Sequence, residues 1–155
     1  MDVLEWIEKA KSFNSNSLLN KFTVRIITDE KIIDLQRQQW RAGKDSKGRI
    51  IGYYKKSTEE ISNGRKIQGD PYDLFDTGDF WQRTYLIGVI RGDNIDFEFN
   101  SAGQNKKSLF QTIQFHGEIT NPEEIFGLME FYKSKFIELI EPKFIKELEK
   151  YYSNV

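Results

Sequence analysis

At 155 residues, with 38% hydrophobic and 30% charged side chains, the chain is sized for a single domain with a modest core. A formal net charge of -1 excludes capture of nucleic acid by the surface as a whole, and the lack of cysteine excludes disulfides, thiolate nucleophiles and Cys-ligated zinc. Twelve Phe, seven Tyr and three Trp place much of the apolar content in large rings, which suits a thin sheet covered by helices and leaves rings for interfaces.

The start, Met1-Asp2-Val3-Leu4-Glu5-Trp6, has neither the basic segment nor the apolar run of a signal peptide, and no stretch is long enough to span a bilayer. A soluble protein made in the cytoplasm is expected. Val3, Leu4, Ile7 and Ala10 recur at helical spacing and predict a helix over 2–13, broken by Asn14-Ser15-Asn16-Ser17. Phe22, Val24 and Ile26 alternate with Thr23, Arg25 and Ile27, which reads as a strand. The chain is expected to form one domain over 1–155, with residues 1–28 a candidate N-terminal extension. Asp29 caps a helix through Ile32, Ile33, Leu35, Gln36 and Trp40 that Gly43 stops.

Residues 41–81 hold six of the eleven glycines, and a polar excursion this long is unusual unless it has a job. Gly43-Lys44-Asp45-Ser46-Lys47-Gly48 is a turn, 50–54 a short strand, and 74–81 a turn with one helical turn capped by Thr77 or Asp76. In Asp76-Thr77-Gly78-Asp79 the spacing predicts a left-handed Gly78, a locally bonded Thr77 and Phe80 entering the core. Residues 83–90 and 95–99 form a hairpin across Arg91-Gly92-Asp93-Asn94: Tyr85, Ile87 and Val89 alternate on one strand, Ile95, Phe97 and Phe99 on the next, with Asp96 and Glu98 facing away. A polar loop over 101–108 leads to an extended segment at 109–116, with Ile113 and Phe115 pointing one way. Asn121-Pro122 opens a helix whose apolar stripe runs through Ile125, Leu128, Met129, Tyr132, Phe136, Leu139 and Ile140; Pro142 should kink or interrupt it before Phe144, Ile145, Leu148 and Tyr151.

No catalytic pattern accompanies these elements, and neither cofactor nor metal is expected. His116 stands alone and reads as a structural group at a strand end, without the nucleophile and orienting carboxylate a catalytic base needs. Asp70, Asp73, Asp76 and Asp79 raise a hard cation, but Pro71 and Thr77-Gly78 favour turn and cap carboxylates. The 43–48 turn fails as a calcium loop, with Lys47 and Arg49 at ligand positions, and as a phosphate loop by its spacing. The lysines of the loops read as solvated. Tyr53-Tyr54 and Phe80-Trp81 beside lysines would suit nucleobase stacking, and core packing explains the same rings.

In order, the Gly43–Gly48 turn, Tyr53-Tyr54-Lys55-Lys56-Ser57-Thr58, a variable loop with Lys66 and Gly69, and Leu74-Phe75-Asp76-Thr77-Gly78-Asp79-Phe80 before a hairpin resemble tailed-phage tail-completion or neck proteins of the head–tail junction. Phe115-His116-Gly117 is a candidate for that family's late aromatic element, and Ile125-Phe126-Gly127-Leu128 with a terminal helix looks like the form seen in phages of Bacteroidetes-type hosts. Ile50-Ile51 departs from the family's usual Pro/Trp-containing segment.

Taken together, these elements predict an α+β fold, a small antiparallel sheet flanked by N-terminal and long C-terminal helices. The resemblance implies a non-enzymatic virion protein that assembles in the host cytoplasm as a homo-oligomeric ring. Its partners would be its own copies and portal, adaptor or tail-tube proteins, with no membrane, and DNA at most along a channel. Subunit contacts are expected from Lys44, Asp45, Lys47, Arg49, Asn63, Arg65, Lys66 and Asp70, with a second side around Phe131, Lys135 and Glu138. Gly43, Gly48, Thr77, Gly78 and Phe80 are the expected structural turn residues. The competing reading is a small cytoplasmic module that binds nucleic acid or protein, for which a discrete basic and aromatic groove would speak.

Overall fold

The computed structural model describes residues 3–4, 15–92, 94–116, 119 and 121–153. Helix α1 covers Ser15–Ile27, α2 Glu30–Arg41, α3 Lys56–Ile61 and α4 Asp79–Gln82. An antiparallel pair follows, β1 Thr84–Arg91 and β2 Asn94–Ser101, then α5 Lys106–His116, a 3₁₀ turn at Pro122–Ile125, and α6 Glu130–Ser153. The fold is α+β, with a small sheet flanked by N-terminal helices and a long C-terminal helix. The helix expected over 2–13 lies outside the described residues except at Val3 and Leu4, as do Asp93 of the hairpin turn and Gly117.

Two expected strands are helices. Over 15–27, Leu18, Phe22 and Ile26 recur every four residues and are all buried, whereas Val24 is exposed. The run that alternates also satisfies a helical face, and Leu18 extends that face by one turn. The serines expected to break the chain begin the helix instead. Over 106–116, Leu109 and Ile113 are buried four residues apart, while Phe115 points out. Ile113 and Phe115 therefore do not share a face, and the polar loop shortens to 102–105.

Helix α2 forms as expected. Asp29 accepts the Lys31 N–H at 2.9 Å, and Gly43, at φ +70°, donates to Trp40 O at 2.8 Å just beyond the last turn. The segment 50–54 is not a strand but a pair of isolated bridges, Lys44 with Ile50 and Tyr53 with Pro71. Gly78 takes φ +88°, Thr77 Oγ1 accepts the Asp79 N–H at 3.3 Å, and Phe80 is buried. Gly78→Val should destabilise the protein by about 1 kcal/mol or more, because the left-handed conformation is strained for a side chain and Phe75 already lies 3.2 Å from the Cβ position. An unchanged thermal midpoint would refute this.

The hairpin pairs Thr84 with Ser101 through to Arg91 with Asn94. Leu86 and Phe99 face each other on the buried side. Tyr85, Ile87 and Val89 occupy the opposite, exposed face beside Glu98 and Asp96. Helices α1 and α2 cover the inner face of β1, and α6 packs across both helices.

The helix expected to open at Pro122 is one 3₁₀ turn capped by Asn121, ended near Gly127 at φ +99°. Ile125 and Leu128 therefore precede the long helix. Pro142 does not interrupt α6. Beyond it, Lys143 Nζ meets Asp29 Oδ2 at 2.7 Å, Phe144 packs edge-on against Phe22 at 5.1 Å, and Glu147 pairs with Arg25. These contacts hold the helix through the lost backbone hydrogen bond.

The interior divides into two clusters. One gathers Trp40, Ile51, Tyr72, Leu74, Phe80, Leu109 and Ile113 among others; the second gathers Phe22, Ile26, Ile32, Ile33, Leu86 and Phe99, with the inner side of α6 against it. Helix α2 contributes to both, Trp40 to the first and Ile32, Ile33 and Leu35 to the second.

Candidate functional site

The Gly43–Gly48 turn is built around one carboxylate. Asp45 is fully buried; its Oδ1 accepts the N–H groups of Lys47 at 3.0 Å and Arg49 at 2.8 Å, and its Oδ2 accepts from the Arg49 guanidinium at 2.8 Å. Arg49 also pairs with Glu124, which Lys47 Nζ meets at 3.0 Å, so the turn is tied to the 3₁₀ segment. The lysine and then Arg49 hold the Glu124 carboxyl below its usual value. Asp45 offers no surface to a neighbouring subunit and is withdrawn from the contact set; Lys47 and Arg49 are exposed but internally paired. Lys44 lies at the bridge to Ile50, and Gly48 takes φ +78°.

The 56–70 excursion projects from this base. Asn63, at φ +54°, and Arg65 and Asp70 are exposed; the Arg65 Nε donates to Ser62 O at 3.0 Å. Lys66 turns inward to Asp73 at 3.1 Å and lies 5.2 Å over the Tyr54 ring. Asp73 also accepts the Tyr54 hydroxyl at 2.6 Å, and Asp79 pairs with Arg83 at 2.9 Å. Among the described residues no three acidic or histidine side chains gather as a metal group. The excursion and α5 enclose an open cleft of about 620 Å³ whose walls include Ile61, Arg65, Lys66, Tyr72, Phe75 and Phe115. Lys55 Nζ caps its Phe115 wall at 3.8 Å from the ring. Asp76 is the one carboxylate among the lining residues.

Of the sequence-chosen contact residues, Arg65 and Lys66 reach this cleft; Lys44, Asp45, Lys47 and Arg49 belong to the turn. Sequence reasoning missed the α5 wall, Thr112 and Phe115, because it read 109–116 as extended. The four-residue spacing of Leu109 and Ile113 was the available signal. Tyr54, Phe80 and Trp81 are buried, which leaves Tyr53 as the exposed ring among the four considered for base stacking.

Burial, and for Tyr54 the bond to Asp73, pushes the Tyr54 and Tyr72 hydroxyls above the ordinary value of 10.0. Above pH ~10 the unfolded chain loses those protons first, the folded state binds more, and stability falls as pH rises. At the acid end the Lys143 contact holds Asp29 below 3.8 and the Lys47 and Arg49 contacts hold Glu124 below 4.5, so that contribution is lost as pH falls from about 4.5 downward. Urea midpoints should therefore form a plateau between these limits; a midpoint still rising at pH 10.5 would contradict the tyrosine assignment.

Comparison with known proteins returns no match: no family model, no curated protein and no solved structure aligns with this chain. Exposed large apolar side chains nonetheless mark three surfaces, at the cleft (Ile61, Phe75), on the hairpin's outer face (Tyr85, Ile87, Val89), and along α6 (Phe131, Ile137, Ile145). No helix among the described residues is long and apolar enough to cross a membrane.

Proposed function

We propose that this protein is a non-enzymatic, ring-forming subunit of a phage head–tail junction, assembled in the host cytoplasm and retained in the virion. The observation that carries the reading is the exposed apolar side chains on three surfaces of one small chain. A closed ring joins unlike faces of neighbouring copies, so each subunit covers two such surfaces laterally and keeps a third for a portal, adaptor or tail-tube ring above or below. The ordered resemblance from Gly43 to Phe80 supports the same reading, since its turn and its Gly78 corner are structural devices that project the 56–70 excursion. DNA enters at most as what passes through the opening. Electron micrographs of the purified protein at rising concentration should show rings of uniform diameter. A species that stays monomeric to its solubility limit overturns the proposal.

The cationic and aromatic cleft favours the second reading, a nucleic-acid-binding module. Single-stranded DNA bound with a salt slope, and lost on Lys55→Ala with Arg65→Ala, would support it over the ring.

A further inference from the structure

We infer that the cleft between α3 and α5 receives the outer face of helix α6 from a second copy of this chain. The inference rests on the ring reading and specifies its lateral contact. The two surfaces differ in shape and match in charge. The cleft is concave and apolar at its walls, through Ile61, Phe75 and Phe115, and its rim carries Arg65 and Lys55. Lys66 is neutralised by Asp73, and Asp76 is the opposing charge at the lining. The outer face of α6 is convex, as any helix surface is, and presents Pro142 and Ile145 flanked by Glu138, Glu141 and Glu149, with Lys146 the one cation of that group. Ile137 and Ile145 are exposed two turns apart on α6 and serve as the apolar anchors for a groove, with Glu141 between them at the charged margin. Three carboxylates against one ammonium on the helix face the two unneutralised rim cations of the cleft.

The two surfaces share no residue. The cleft lies over the first core cluster, through Tyr72, and α6 packs on the second. A contact between them is head-to-tail, which propagates from copy to copy and makes a ring where its rotation closes, whereas a like-to-like contact stops at a dimer. The hairpin's outer face is the weaker candidate for the cleft. It is a strand surface, and one of its acids, Asp96, is already paired with Arg91 at 2.9 Å.

The chain has no cysteine, so engineered thiols report without background. In full-length protein carrying both Ile61→Cys and Ile145→Cys, a short bis-maleimide should give a ladder of dimers, trimers and larger species ending in one closed band. Each single variant should give none. In parallel, Arg65→Glu should weaken self-association about tenfold, and adding Glu141→Arg to the same chain should restore it. Circular dichroism checks that each variant is folded; all four positions are exposed. Rings that persist without a ladder and ignore the charge reversal overturn this contact while leaving the ring reading intact. Wild-type protein that never self-associates overturns both. A ladder abolished by single-stranded DNA with loss of rings assigns the cleft to nucleic acid and also overturns the inference.

Discussion

Asp45→Ala should lower stability by about 3 kcal/mol, a drop of roughly 6–12 °C in thermal midpoint for a chain of this size. The carboxylate has no exposed surface and accepts two backbone N–H groups and a guanidinium within 2.8 to 3.0 Å. Alanine leaves both amides without their acceptor and frees Arg49 from half of its pairing. Asp45→Asn keeps the shape and one acceptor oxygen, so it should fall between the two. Because the same turn reaches Glu124, hydrogen exchange should rise at Ser46 as well, whose N–H donates to Glu124 O at 2.9 Å. A midpoint within 2 °C of wild type, roughly the shift of a neutral surface change, would show that the knot does not hold the excursion in place.

Gln39→Leu should cost about 2–4 kcal/mol, despite adding an apolar side chain to a buried position. Gln39 Nε2 donates to Gly127 O at 2.9 Å and its Oε1 accepts the Met129 N–H at 2.7 Å. One turn earlier, Gln36 Nε2 donates to Ile125 O at 3.3 Å and Oε1 accepts the Gly127 N–H at 2.8 Å. Each amide behaves as a peptide unit, and together they pair with 125–129 as a neighbouring strand would. Leucine leaves the partly buried Gly127 carbonyl and Met129 N–H without these partners at the entry to α6. Gln39→Glu should be at least as harmful, because it removes the donor and introduces a charge where none is paired. Chemical denaturation of the two variants measures both costs; a Leu variant as stable as wild type would refute the account.

The hairpin's pairing was legible from its period-two pattern, but the face of β1 was not: Tyr85, Ile87 and Val89, expected opposite Asp96 and Glu98, lie beside them on the exposed side, and Leu86 faces the core instead. Helix α2 was legible from Asp29 at one end and Gly43 at the other. Helices α1 and α5 were misread because short runs of aromatic and β-branched residues satisfy both periods, and the deciding burial of Leu18 and Leu109 depends on packing partners elsewhere. At Pro142 the expected interruption does not occur for the same reason: the cost is local, and what outweighs it comes from Asp29, Phe22 and Arg25 on other elements. The cleft was invisible because its walls, Ile61 and Phe115, lie on separate elements, as was the partner of Arg49, 75 residues away. Spacing alone does not encode such meetings. Arg65 and Lys66, expected as subunit-contact residues of the loop, line the cleft, whose opposite wall the sequence did not show.

The two core clusters share α2 as a common wall, and in mechanical terms that helix is a beam. Its 12 residues span about 18 Å, with Trp40 embedded in one cluster and Ile32 and Ile33 in the other. A thrust delivered near the cleft passes into Trp40, travels along an element that resists compression, and leaves through the packed face of α6. A chain of such bodies would bend at its joints and hardly at all within each link.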